Sequence, residues 1–181
     1  MSVTEIKFGG FGGQGVILAG IIIGRAASIY NGKFATLTQS FGPEARGSAC
    51  SAQVIVSDKT ILYPYVTKPE ILLVMSQEAC NKFLPETTDD ATLIIEEDLV
   101  KPRGLKPGMK LHGIPATRLA EELGRKMILN IVMVGFFTAM TRVVNHEAAR
   151  EAVKASVPPG TEDMNLKAFE RGYQYGLSIT K

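Results

Sequence analysis

Apolar and polar positions follow one another along this chain in an order that predicts its elements. Ile6-Lys7-Phe8 has strand character, and Val16-Ile17-Leu18-Ala19 opens a helix predicted to reach about Tyr30. That helix is apolar on nearly every side, which requires burial on more than one face. Gly20 and Gly24 lie four positions apart on it and form a smooth stripe for close packing on a sheet or a partner subunit. Asn31-Gly32 ends it through a left-handed cap. Phe34 to Gln39 is a second strand. From Ala49 to Ser57, Cys50, Ala52, Val54 and Val56 alternate with mostly polar neighbours, the period of a strand. Asp58-Lys59 then reads as a tight turn and Thr60 to Tyr63 as a returning strand, which makes a β-hairpin.

Past a linker framed by Pro64 and Pro69, Ile71-Leu72-Leu73-Val74-Met75 is a continuous apolar run, the mark of a central buried strand. Ser76 caps a helix over about Gln77 to Leu84, which Pro85 stops. Thr92-Leu93-Ile94-Ile95 and Lys110 to Ile114 are further short strands. From Thr117 the pattern is helical: about Thr117 to Leu123, Met127 to Val144, His146 to Ser156 behind an Asn145 cap, and Met164 to Gly176 with Leu166, Phe169, Tyr173 and Leu177 on one face. Strands alternate with helices and then give way to helices alone. The fold class is therefore α/β: a layered domain with a mixed central sheet, a Gly-rich first strand–helix turn and a helical C-terminal part. The whole chain, residues 1–181, reads as a single domain.

Composition narrows the function classes. A hydrophobic fraction of 45% with 21% charged residues belongs to a soluble globular protein. The formal charge of +2 gives no strong field for nucleic acid. The apolar stretches Val16 to Ile23 and Ile128 to Met140 fall short of the ~20 residues a spanning helix needs, so no membrane is expected. Met1 to Glu5 has no basic leader-like region, and the chain is expected in the cytoplasm. Cys50 and Cys80 read as reduced core residues. Two cysteines cannot hold an iron–sulfur cluster, and with His112 and His146 as the only histidines a zinc site is disfavoured.

The candidate chemistry starts at Gly9-Gly10-Phe11-Gly12-Gly13-Gln14-Gly15, a glycine turn between strand and helix. Glycines let the backbone adopt φ > 0 and come close to a ligand, and the first N–H groups of the next helix lack intrahelical partners. The turn can therefore seat an anion or phosphate; equally, it can serve only as a tight turn between helix and sheet. Gly10, Gly12 and Gly15 satisfy the G-x-G-x-x-G dinucleotide fingerprint. The fingerprint also needs an acid about 20 residues on for the ribose, and Phe34 to Gln39 carries none, which disfavours a nicotinamide cofactor. In Ser40-Phe41-Gly42-Pro43-Glu44-Ala45-Arg46-Gly47-Ser48, Glu44 and Arg46 are two charges of a solvated turn or, alternatively, a rigid presentation of one acid and one guanidinium at a site. Glu96-Glu97-Asp98 reads as a solvated cluster rather than a cation site, and His146 as a surface residue.

Gly10–Gly15 together with Ser40–Gly47 resembles the gamma subunit of 2-oxoacid:ferredoxin oxidoreductases, the pyruvate, 2-oxoglutarate and branched-chain enzymes. Val54 to Asp58, Ile61 to Pro64, Ser76 to Ala79, Ala120 to Asn130 and Asn165 to Phe169 are similar too, so the resemblance covers essentially the whole chain. Ser48 stands where the family usually has a second glycine. The resemblance implies a subunit inactive alone, within an enzyme that converts a 2-oxoacid and coenzyme A to acyl-CoA and carbon dioxide. It leans toward 2-oxoglutarate. It implies alpha, beta and ferredoxin-like delta partner subunits, which carry thiamine diphosphate with magnesium and the iron–sulfur clusters, and ferredoxin as electron acceptor. No catalytic residue is expected here and no cofactor bound by this chain alone. A scaffold role with a coenzyme A contact is expected, with Gly12, Gly13, Gln14, Gly15 and Arg46 facing the ligand and Glu44 and Arg46 at an interface. A free-standing Rossmann-type nucleotide-binding protein is the alternative.

Overall fold

The computed structural model describes residues 3–41 and 49–180. Strands β1 (Val3–Phe11), β2 (Phe34–Ser40), β3 (Ala49–Ser57), β4 (Ile71–Val74), β5 (Thr92–Glu96) and β6 (Lys110–Ile114) form one sheet in the order β2-β3-β1-β4-β5-β6. β1, β4, β5 and β6 run parallel, while β3 pairs antiparallel with both β1 and β2. The sheet is mixed, as the sequence predicts, but for a different reason. Thr60 to Tyr63 forms no strand, because both sides of β3 are already taken by β1 and β2. In residues 58–70, Thr67 and Lys68 instead donate backbone N–H groups to the Glu5 carboxylate of β1 at 2.7 and 2.8 Å.

One face of the sheet is covered by α1 (Val16–Arg25) and, from the C-terminal part, α3 (Ala116–Glu122), α4 (Leu129–Thr141), α5 (His146–Ser156) and α6 (Glu162–Ile179). Phe8, Ile22, Ile23, Phe136, Phe137 and Phe169 fill this larger core. The opposite face carries a smaller core in which α2 (Gln77–Phe83) packs Ala79, Cys80 and Phe83 against Leu72, Val74, Leu93 and Ile95. Cys50 belongs to the first core and Cys80 to the second, so the sheet separates them; both are buried free thiols. Lys7 points into the second side, where it pairs with Glu86 and lies 4.8 Å from the Phe83 ring centre.

β1 continues through Gly9 and Gly10 because these positions need to be bare. A Cβ on Gly9 would come within 2.7 Å of the Phe83 ring of α2, and one on Gly10 within 2.8 Å of Val16 of α1. Gly20 meets Ala52 of the sheet, as its place on the stripe predicts, whereas Gly24 faces open space. The first helix ends in a π-helical turn, Ala26–Tyr30, and Gly32 (φ 63°) supplies the left-handed residue after it. The predicted helix from Met127 to Val144 is shorter at both ends: a 3₁₀ turn covers Lys126–Ile128, and Arg142 closes α4 in the left-handed region at φ 54°. The predicted face of α6 is also displaced. Asn165, Ala168, Phe169, Gly172 and Gly176 are its buried positions, because α4 and α6 cross at backbone distance through Gly135 and Gly172. Ser76 and Asn145 cap α2 and α5 as predicted, accepting from Ala79 N at 3.2 Å and Ala148 N at 2.7 Å.

Candidate functional site

β1 and β4 are adjacent parallel strands, yet their connections leave toward opposite faces, β1 into α1 and β4 into α2. Such a divergence opens a crevice at the carboxyl ends of the two strands, the place where open α/β sheets bind ligands. Here the crevice contains the glycine turn. The N–H of Gln14 donates to the Phe11 carbonyl at 3.1 Å, closing a turn whose third residue, Gly13, sits at φ 90°. Gly15 follows at φ 73° and starts α1 without a side-chain cap. The first N–H groups of α1 therefore have no side-chain acceptor, and their partial positive charge faces the turn.

Gln14 plays a part the sequence reading did not anticipate. Its side-chain oxygen accepts the Phe11 N–H at 2.7 Å, and its amide nitrogen donates to the Met75 carbonyl at 2.9 Å. The side chain thus staples the turn to the end of β4 while still lining the cleft beside it. Gly12 and Gly13 remain exposed, with open space where a Cβ would stand. Gly15 is the reverse, since a Cβ there would lie 2.3 Å from the Asn130 amide. Arg46 and Glu44 lie outside the described residues.

A cleft of about 500 Å³ opens beside the turn, walled by Phe11, Gly13, Met75, Ser76, Leu99 and Met127, with Lys126 at its edge. A second, of about 570 Å³, lies on the other side of Gly13, between Leu18, Arg125, Asn130 and Met164. Met127, 80% exposed, forms the ridge shared by both. Ser76 and Gln77 come from the cap of α2 that the sequence revealed. Lys126 and Met127 were missed, and only a break between two apolar helical runs marks them in the sequence.

Neither cleft is lined by an Asp, Glu, His or Cys among the described residues. The site offers backbone N–H groups, the cations Lys126 and Arg125, and apolar walls. It can bind a molecule with an anionic head and an apolar arm. The acidic cluster after β5 is occupied differently from a cation site. Glu96, fully buried, accepts from the Thr117 hydroxyl and from Asp98 N at 3.0 Å, and Arg118 holds Asp98 through two bonds at 2.6 and 3.1 Å. His146 is half-buried rather than a surface residue, its Nε2 2.8 Å from the Glu170 carboxylate and its ring against Tyr173.

The model of the pyruvate ferredoxin/flavodoxin oxidoreductase family matches residues 5–175. The chain belongs to this family. It is 48% identical over 174 residues to the 2-oxoglutarate synthase subunit KorC of Methanothermobacter marburgensis, covering 93% of this chain and 94% of the relative. Among solved structures, the gamma subunit of a keto/oxoacid ferredoxin oxidoreductase from Geobacter sulfurreducens superposes with TM-score 0.89 at 38% identity, covering 98% of each chain. The 2-oxoglutarate:ferredoxin oxidoreductase of Magnetococcus marinus, solved with 2-oxoglutarate, coenzyme A and succinyl-CoA bound, shares the fold at TM-score 0.89 and 19% identity. There the match covers the whole of this chain and 32% of the other.

Membership of the oxidoreductase family accounts for features a dinucleotide-binding unit leaves unexplained. In such a unit the strand after the first helix lies parallel beside the first strand. Here β2 is an antiparallel edge strand with β3 between it and β1. The Rossmann-type alternative finds no support in this topology. Among the described residues no group of three or more His, Cys, Asp or Glu side chains is placed to hold a metal, and the cysteines face opposite sides of the sheet. No helix of the described residues is long and apolar enough to cross a membrane.

Proposed function

We propose that this chain is the gamma subunit of a 2-oxoglutarate:ferredoxin oxidoreductase, a scaffold that also contacts coenzyme A at the glycine-turn cleft. The observation that carries the reading is the near full-length identity to a 2-oxoglutarate synthase subunit. The chemistry of the cleft supports it. Coenzyme A carries a phosphorylated nucleotide head and a long pantetheine arm. The N–H groups at Gly12, Gly13 and the start of α1, with Lys126, suit the phosphates, and Met75, Leu99 and Met127 suit the arm. Arg46, in the sequence that follows β2, is proposed as a further phosphate contact, and Glu44 as an interface residue at the subunit boundary.

In that reading, alpha, beta and ferredoxin-like delta subunits complete the enzyme in the cytoplasm. Thiamine diphosphate with magnesium on a partner subunit supplies the carbanion chemistry of decarboxylation. Iron–sulfur clusters on a partner carry the electrons to ferredoxin. What this chain's own residues do is hold the nucleotide end of coenzyme A and keep the turn rigid through Gln14 and Asn130.

Anaerobic affinity purification of the chain from its own cells, followed by assay of the purified material, tests the reading. The expected result is a fixed-ratio complex with a thiamine-diphosphate-binding subunit and an iron–sulfur protein, oxidising 2-oxoglutarate faster than pyruvate or branched-chain 2-oxoacids. A chain that emerges alone contradicts the subunit role, and a complex that prefers pyruvate contradicts the substrate.

A further inference from the structure

At the far end of the first helix, roughly 20 Å from the glycine turn along a helix of this length, lies a separate cavity of about 390 Å³. Lys33, Arg142, Asn31, Asn145, His146 and Tyr173 contribute to its wall, and no Asp or Glu among the described residues does. Its polar side chains are almost all left as donors. The Asn31 oxygen accepts the backbone N–H of Asn145 at 2.7 Å, and the Asn145 oxygen accepts that of Ala148 at 2.7 Å. A backbone N–H can only donate, so both oxygens are assigned by their partners and both amide NH₂ groups stay available. Lys33 donates to the Val143 carbonyl at 3.1 Å and meets no carboxylate among the described residues. The Arg142 guanidinium has no hydrogen-bond or ion-pair partner among the described residues, although the residue occupies a φ of 54° that is strained for an L-residue and that glycine would adopt freely.

A cavity lined by two cations and two amide donors, with no Asp or Glu among the described residues of its wall, is matched by an anion. We propose that it is a second ligand site, distinct from the glycine-turn cleft, that takes a compact oxyanion: a phosphate monoester or a dicarboxylate held by the Arg142 fork and the Lys33 ammonium. Guanidinium offers the paired N–H geometry that both ligand types accept. The volume lies within the range of small-molecule sites. The inference does not rest on the coenzyme A reading, because none of these residues lines the cleft beside the turn.

Calorimetric titration of the full chain with inorganic phosphate and, separately, with succinate tests it. Arg142→Gly is the informative variant, since it removes the guanidinium while suiting the backbone, so a melting temperature at or above the parent's certifies its fold. Saturable binding of at least one probe is expected, weakened about tenfold or more in Arg142→Gly, the loss of one charge-assisted bond, and unchanged in Lys154→Gln, which removes an exposed cation of α5 that lines neither this cavity nor the cleft. Phosphate binding alone identifies the phosphate ester, and succinate binding alone the dicarboxylate. No saturable binding of either probe overturns the proposal, as does binding that Arg142→Gly leaves intact.

Discussion

The side-chain amide of Asn130 donates to the carbonyl of Gly15 at 3.3 Å, and the same carbonyl accepts the N–H of Ala19 at 3.0 Å. One bond thus ties the glycine turn, at the start of the chain, to the buried helix α4 near its end. Gly15 has to be glycine twice over, for its φ of 73° and for the Asn130 amide 2.3 Å from where a Cβ would stand. Gly15→Ala is expected to lose about 2–4 kcal/mol, from left-handed strain plus overpacking. Asn130→Ala should lose about 1 kcal/mol, since the carbonyl keeps its bond from Ala19. Combined, they should lose less than the sum, because the second change makes room for the first. Urea denaturation of the three variants measures all of this.

Gly135 and Gly172 let α4 and α6 meet at their backbones. A Cβ at Gly135 would stand 1.9 Å from the Phe169 carbonyl oxygen, and one at Gly172 1.9 Å from that of Val132. Neither partner can move without parting the helices. Each glycine-to-alanine change should destabilise by about 3 kcal/mol or more, at the upper end of overpacking costs. Gly24→Ala, in the same residue class but facing open space within α1, should stabilise by about 0.4–1 kcal/mol. Opposite signs in thermal or urea unfolding check the assignment.

His112, on the edge strand β6, has its pKa pushed below the ordinary 6.5 by burial and, secondarily, by Lys110. The unfolded chain therefore binds its proton before the folded chain does. Stability conferred by the neutral ring is fully present above about 6.5 and is lost as pH falls toward and through the folded pKa. His112→Gln is expected to flatten that part of the pH–stability curve and to leave the curve above neutral pH unchanged.

Burial raises the pKa of both thiols above the ordinary 9.0, for Cys50 against a smaller opposing hydrogen bond and for Cys80 unopposed. Two outcomes follow. A thiol reagent at neutral pH should modify neither cysteine in the folded chain and both after unfolding. Stability should also decline as pH rises past about 9.0, where the unfolded thiols ionise and the folded ones do not. Replacing both by Ala should remove that decline.

Period and capping made much of the fold legible. The alternation from Ala49 to Ser57 became β3 with those bounds, the apolar run at Ile71 became β4, and Asn145 capped α5 over His146–Ser156. What stayed hidden depends on contacts between distant segments. Thr60 to Tyr63 has strand residues, but β3, the strand it would return against, is paired on both sides by β1 and β2. Gly9 and Gly10 look like turn residues and are strand, because a ring of α2 and a side chain of α1 occupy the space of their missing Cβ atoms. The apolar face expected on α6 gave way to glycines for the same reason of close approach. At the site, the turn itself was legible. The inward role of Gln14 and the walls from Lys126 and Met127 were not, since one needs the Met75 carbonyl and the other a segment more than a hundred residues away.

Coenzyme A contact at the glycine turn is the central claim, and its affinity for the assembled enzyme is the quantity that decides it. Equilibrium dialysis of coenzyme A should be run on the complex carrying wild-type chain and on that carrying Lys126→Met, with 2-oxoglutarate affinity measured alongside. Loss of a cation from the phosphate end should weaken coenzyme A about tenfold and leave 2-oxoglutarate unchanged. Equal coenzyme A affinity in the two complexes would contradict the contact and leave this chain a scaffold alone.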